Sequence, residues 1–127
     1  MEQQQQYELQ VLIASGPEAV DRAVLGFALA VSAASSGIKV TVILALKGIA
    51  WAQQNIRAAK QKVNGFSSIE DYVNILGDSG AVIRLCSSCV ENNCKLDKKE
   101  SAQTSSYVGL TEVAINAACN TSNTIVF

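Results

Sequence analysis

The sequence predicts an α/β fold: a three-layer α/β/α sandwich around a mostly parallel sheet of about five strands. Three observations carry this prediction. Strand-like and helix-like runs alternate along the chain, and parallel strands need a crossover, usually a helix, each time. The run "IKVTVILAL" (38–46) is apolar at nearly every position, as expected of a parallel strand covered on both faces. The segment "GPEAVDRAVLGFALAVSAASSG" (16–37) reads as a helix with an unusually wide apolar face.

Each element has its own justification. "YELQVLIAS" (7–15) is a strand, rich in branched apolar residues and stopped by Gly16-Pro17. In the helix that follows, Pro17 suits the first turn, Glu18 and Asp21 favour the positive end, and Gly37 ends it. Val20, Val24, Phe27, Val31 and Ala34 keep helical spacing, while Leu25, Ala28 and Leu29 widen the face. That width predicts burial on two sides, against the sheet and against another helix or another subunit. After the second strand, "KGIAWAQQNIRAAKQKVNG" reads as a short helix and an exposed basic segment. "SSIEDYVNILGDSG" carries a capping box, Ser67 with Glu70, and a glycine stop at Gly77 or Gly80. A third strand, "AVIRL" (81–85), leads directly into Cys86. A polar loop or helix follows, with room for an extra short strand near 106–108. "VGLTEVAINAAC" is a helix and "TIVF" the closing strand.

Composition limits the function. With 127 residues, 49% of them apolar, the chain forms one domain (7–127) behind a polar tail (1–6). A net charge of −1 gives no electrostatic case for nucleic acid or an anionic membrane. The uncharged run 23–38 is 16 residues long and holds three serines, so it is a buried helix rather than a membrane span. "MEQQQQYE" lacks the layout of a signal peptide, which predicts a cytoplasmic protein with reduced cysteines. There is no histidine, which removes the usual general base and any Cys–His pair.

Chemistry therefore falls to the thiols. "CSSCVENNC" (86–94) holds three of the four cysteines. Ligands and reacting groups gather beyond the carboxyl ends of strands in open α/β sheets. Cys86 falls at that edge and so does the Ser15-Gly16-Pro17 turn; the two come close if their strands are neighbours. Were "SSCVENNC" to begin a helix, its unpaired N–H groups would favour a thiolate at Cys86, the nucleophilic form. Lys95, Lys98 and Lys99 would add positive potential if the segment folds back.

Spacing sorts the partners. Cys86 and Cys89 are one helical turn apart, roughly 5–6 Å between Cβ atoms, within adjustment range of a disulfide. Cys94 lies eight residues from Cys86, a rise of roughly 12 Å on a continuous helix, so those two meet only across a loop. Cys119, in "AINAAC", reads as a packing residue. Zinc wants four ligands, and a CxxC plus one further cysteine without histidine does not supply them; no metal and no cofactor is expected. The CxxC also lacks thioredoxin-like surroundings. Ile49 and Trp51, just past the second strand, are candidates for a sheltering pocket wall, although core packing explains a tryptophan equally well. Arg57, Lys60 and Lys62 are a docking face for an acidic partner or simply a solvated surface.

The layout resembles the DsrE/DsrF-like family of small cytoplasmic sulfur-relay proteins over nearly the whole chain. The likeness rests on "VLIASGPEAVDRA", "GIKVTVILALKGIAW", "GAVIRLC" and "YVGLTEVAINAACNTSNTIVF". It implies the family's reactive cysteine at Cys86 and, as in some members, a second one at Cys94; Cys89 is not expected from the family pattern and stands as a possible auxiliary thiol on its spacing alone. The stretch "SGPEAVDRA" resembles the one that borders the family's cysteine site. The resemblance also implies persulfide transfer between a protein sulfur donor and a protein acceptor, in tRNA thiolation or sulfur oxidation, by a dimer, trimer or hexamer. Two other functions fit the same residues: a non-catalytic oligomeric scaffold or ligand-binding protein, with an anion at the Gly16-Pro17 helix start, and a thiol-disulfide or peroxide reductase using Cys86 and Cys94.

Overall fold

The structure, a computed structural model, describes residues 8–53, 56–89, 106–118 and 122–127. Five strands form one sheet: β1 (Glu8–Ile13), β2 (Lys39–Leu44), β3 (Val82–Cys86), β4 (Ser106–Val108) and β5 (Ser122–Val126). Their order across the sheet is β4-β3-β2-β1-β5. Every pairing is parallel, so the sheet goes beyond the mostly parallel expectation. The three-residue strand suspected at 106–108 is present, with Cys86 opposite Val108.

Alternation along the strands builds two unequal cores. Val11, Ile13, Val42, Leu44, Ile83 and Leu85 point to one face and cluster with α1 (Val20–Ser35) and α2 (Ile69–Asp78). On the other face Ile43 and Val108 bury against Val113 of α3 (Leu110–Ala118). The wide apolar face of α1 is largely consumed by this main core, through Val20, Ala23, Val24, Phe27, Ala30 and Ala33. Leu25 alone of its large apolar side chains stands well exposed. No helix among the described residues is long and apolar enough to cross a membrane.

Several boundaries differ from the sequence reading, each for a local reason. The helix expected from residue 16 opens instead with a 3₁₀ turn, Pro17–Ala19, closed by the Ala19 N–H to the Gly16 carbonyl. Ala19 leaves helical geometry, and α1 starts afresh at Val20. The short helix expected after β2 is a 3₁₀ segment, Leu46–Ala52, with a second at Arg57–Lys60. The cap of α2 is Ser68 rather than Ser67; its hydroxyl accepts the Asp71 N–H at 3.2 Å, and Gly80, at φ +82°, turns the chain beyond the far end. Ser68→Ala is expected to cost about 1 kcal/mol in urea unfolding, whereas Ser67→Ala should cost almost nothing. β3 takes in Cys86 as its last residue, because β4 extends the ladder that far.

One polar network has no counterpart in the sequence reading. Gln10 is buried in the middle of β1; its Nε2 donates to Thr124 Oγ1 at 2.8 Å and to the Val113 carbonyl at 3.2 Å. Asn116 Nδ2 donates to Gln10 Oε1 at 3.5 Å. The amide thus satisfies itself while tying α3 and β5 to β1. The available signal was a lone polar residue inside "LQVLI".

Candidate functional site

The carboxyl edge of the sheet is organised by the Leu46–Ala52 segment. It leaves β2 and reaches over β1: the Ala45 N–H extends the ladder to the Ile13 carbonyl at 3.0 Å, and Gly48 donates to the Ala45 carbonyl at 2.8 Å. Backbone meets backbone here. A Cβ on Gly48 would drive into the Ile13 carbonyl, and one on Gly16 into the carbonyl of Lys47, so both positions need glycine for space alone. Trp51 anchors the far end, donating from Nε1 to the Ser15 carbonyl at 2.7 Å.

The same segment touches the thiols. Cys86 closes β3 and is only 1% exposed; Cys89, in a helical stretch that begins at Ser87, is 9% exposed. Neither is in a disulfide, and both belong to the main core cluster. The Leu46 N–H donates to Cys89 Sγ at 3.2 Å. Among the described residues Leu46 is the one non-glycine with positive φ, +50°, and its side chain is 61% exposed. A leucine in that conformation costs about 1–2 kcal/mol, and burial of its side chain does not offset it. What the conformation does is aim an amide at a sulfur.

Cys94, Cys119 and the lysines 95, 98 and 99 lie outside the described residues. β2 stands between β1 and β3, so the Ser15 turn and Cys86 are not on neighbouring strands. The link between them is the Leu46–Ala52 segment, bonded to Ser15 through Trp51 and to Cys89 through Leu46. Ile49 and Trp51 are buried in the main core. Ser15 lines a separate cavity of about 430 Å³ with Glu18, Arg22, Leu25 and Phe127, at the ends of β1 and β5. Arg57 and Lys60 are exposed and border an open depression with Gln61; Lys62 is exposed too.

The helix start carries its own anion. Both carboxylate oxygens of Glu18 accept the Gly16 N–H, at 2.9 and 3.1 Å, so the amide that could have received an external anion is occupied. That hydrogen bond holds the Glu18 carboxyl below the ordinary carboxylate range, with the charge of Lys47 adding a smaller push. A depressed carboxyl stabilises the fold fully above its unfolded value, near 4.5, and the contribution is lost as pH falls through the lower folded value. Glu18→Gln should therefore be less stable than wild type at neutral pH and indistinguishable from it in strong acid, as followed by urea midpoints across pH.

A family model described as DsrE/DsrF-like matches residues 9–126. The chain belongs to the DsrE/DsrF-like family. Solved structures repeat this DsrE-like architecture at low sequence identity. The ychN protein from E. coli superposes with a TM-score of 0.68 at 16% identity, covering 94% of this chain and 99% of its own. MTH1491 from Methanobacterium thermoautotrophicum, a protein of unknown function, gives 0.71 at 14%, with coverages of 95% and 99%. BT1422 from Bacteroides thetaiotaomicron, also of unknown function, gives 0.60 at 12%, covering 94% of each chain. At these identities the likeness is one of fold. No curated protein matches the chain.

Proposed function

We propose that this DsrE/DsrF-like protein is a cysteine-dependent sulfur carrier that holds persulfide sulfur on Cys86 and relays it between a protein donor and a protein acceptor in the cytoplasm. The observation that carries the reading is the Cys86–Cys89 pair at the carboxyl edge of an all-parallel sheet, where open α/β folds concentrate their chemistry. Family membership supports it.

The chemistry needs no histidine and no cofactor. A Cys86 thiolate attacks the outer sulfur of a donor persulfide, the donor leaves as a thiolate, and the sulfur remains as Cys86–S–SH. An acceptor thiolate later takes that sulfur and returns Cys86 to a thiolate. Burial suits the holding step, since a persulfide is labile in water and Cys86 lies among apolar neighbours. Exchange requires the edge to open. Exposed Leu25, Ile125 and Val126 around β5 support homo-oligomeric assembly as part of the same proposal.

The test is intact mass after incubation with a small-molecule persulfide and removal of the excess. Wild type is expected to retain the mass of one added sulfur and Cys86→Ser to retain none. A wild-type protein that never gains sulfur refutes the carrier. Loss of two hydrogens under peroxide, without sulfur uptake, would instead establish a thiol-disulfide function.

A further inference from the structure

We infer that Cys89 is the exchange thiol of this site: sulfur enters and leaves through Cys89, and Cys86 stores it. The inference rests on the carrier reading above and places Cys89 between the donor and Cys86, so that direct attack by Cys86 on the donor becomes the slow bypass. Three observations converge. The store is the more deeply buried thiol, 1% exposed against 9% for Cys89, so a molecule arriving from solvent meets Cys89 first. Cys86 ends β3 directly before the helical turn that carries Cys89 three residues on, an N-cap-to-N3 spacing at which each side chain reaches back to the other residue, and the two share one cluster. The backbone of Leu46 is held at φ +50° with its N–H on Cys89 Sγ at 3.2 Å, placing a hydrogen-bond donor where negative charge gathers each time Cys89 acts as attacking or leaving thiolate.

The steps balance without an oxidant or reductant. The Cys89 thiolate attacks the outer sulfur of the donor R–S–SH; the donor S–S bond breaks and its electron pair leaves on R–S⁻. The Cys86 thiolate then attacks that same sulfur in Cys89–S–SH. A new S–S bond forms to Cys86, the bond to Cys89 breaks, and the pair returns to Cys89 beside the Leu46 N–H. The proton on the transferred sulfur travels with it. Unloading runs the sequence backwards to an acceptor thiolate.

The experiment follows loading by cysteine persulfide in time, by intact mass and by peptide mapping after alkylation. Cys89→Ser keeps an acceptor for the Leu46 N–H and so keeps the local fold. It is expected to load roughly tenfold more slowly than wild type, because the first attacking thiolate is gone, yet to reach the same final mass with the sulfur on Cys86. Cys86→Ser should take sulfur on Cys89 at the wild-type rate while donor is present and hold none of it once the excess is removed, as the carrier test requires. Replacing Leu46 by its α-hydroxy analogue exchanges the N–H for an ester oxygen and should move the pH profile of Cys89 alkylation upward, a readout that a purely structural contact would leave unchanged. Wild-type loading kinetics in Cys89→Ser, or an unmoved alkylation profile in the ester variant, would overturn the assignment of Cys89. Absence of sulfur uptake by wild type would instead remove the underlying carrier reading.

Discussion

Gly48→Ala is expected to cost about 3 kcal/mol and to loosen the cysteine edge at the same time. The added methyl would meet the carbonyl carbon and oxygen of Ile13, backbone atoms of the interior strand β1 that cannot swing aside as a side chain would. Ile13 O is moreover held by the Ala45 N–H. The Leu46–Ala52 segment must therefore lift away from β1. Leu46, two residues upstream, then loses its aim at Cys89 Sγ, and Trp51 loses the Ser15 carbonyl. Two readouts check this: the urea midpoint should fall, and Cys89 should alkylate faster in the folded protein. A Gly48→Ala protein with the wild-type midpoint would show that this contact is not tight.

Phe27→Ala should be comparably damaging, at about 3–5 kcal/mol. Phe27 has no exposed surface and belongs to the buried face of α1, in the cluster that covers β1, β2 and β3. Removing the ring forfeits its transfer free energy and leaves a void that the surrounding valines and alanines fill only in part. Against a total stability of about 5–15 kcal/mol for a domain of this size, that is a large share. The midpoint in urea should drop with an unchanged m-value. A loss of only about 1 kcal/mol would mean that α1 closes over the gap.

Much of the architecture was legible because hydrophobic pattern reports it directly. The apolar run at 38–46 contains β2, the alternation of elements implied the parallel sheet, and even the short β4 was anticipated at residues 106–108. What pattern could not supply was anything decided by dihedral angles or by atoms far apart in sequence. Leu46 looks like the end of an apolar strand; nothing in its identity reveals a left-handed backbone or an amide pointed at Cys89. Glu18 reads equally well as a charge favouring a helix start, and only the structure shows it closing back on Gly16. The position of Cys86 at a strand end was readable. Its near-complete burial was not, because burial depends on what the neighbouring segments do.

The strand order has a consequence for how the chain assembles. β1 is synthesised before the other strands yet lies between β2 and β5, and the Gln10–Thr124 hydrogen bond spans 114 residues. While the chain is being made, β1 can pair with β2 soon after α1 has formed, but its other side waits for β5. Such long-range parallel pairing is slow, and an unpaired strand side is open to the wrong partner in the meantime. Weakening β5 should therefore lower the yield of folded protein during synthesis more than its effect on the finished fold would suggest.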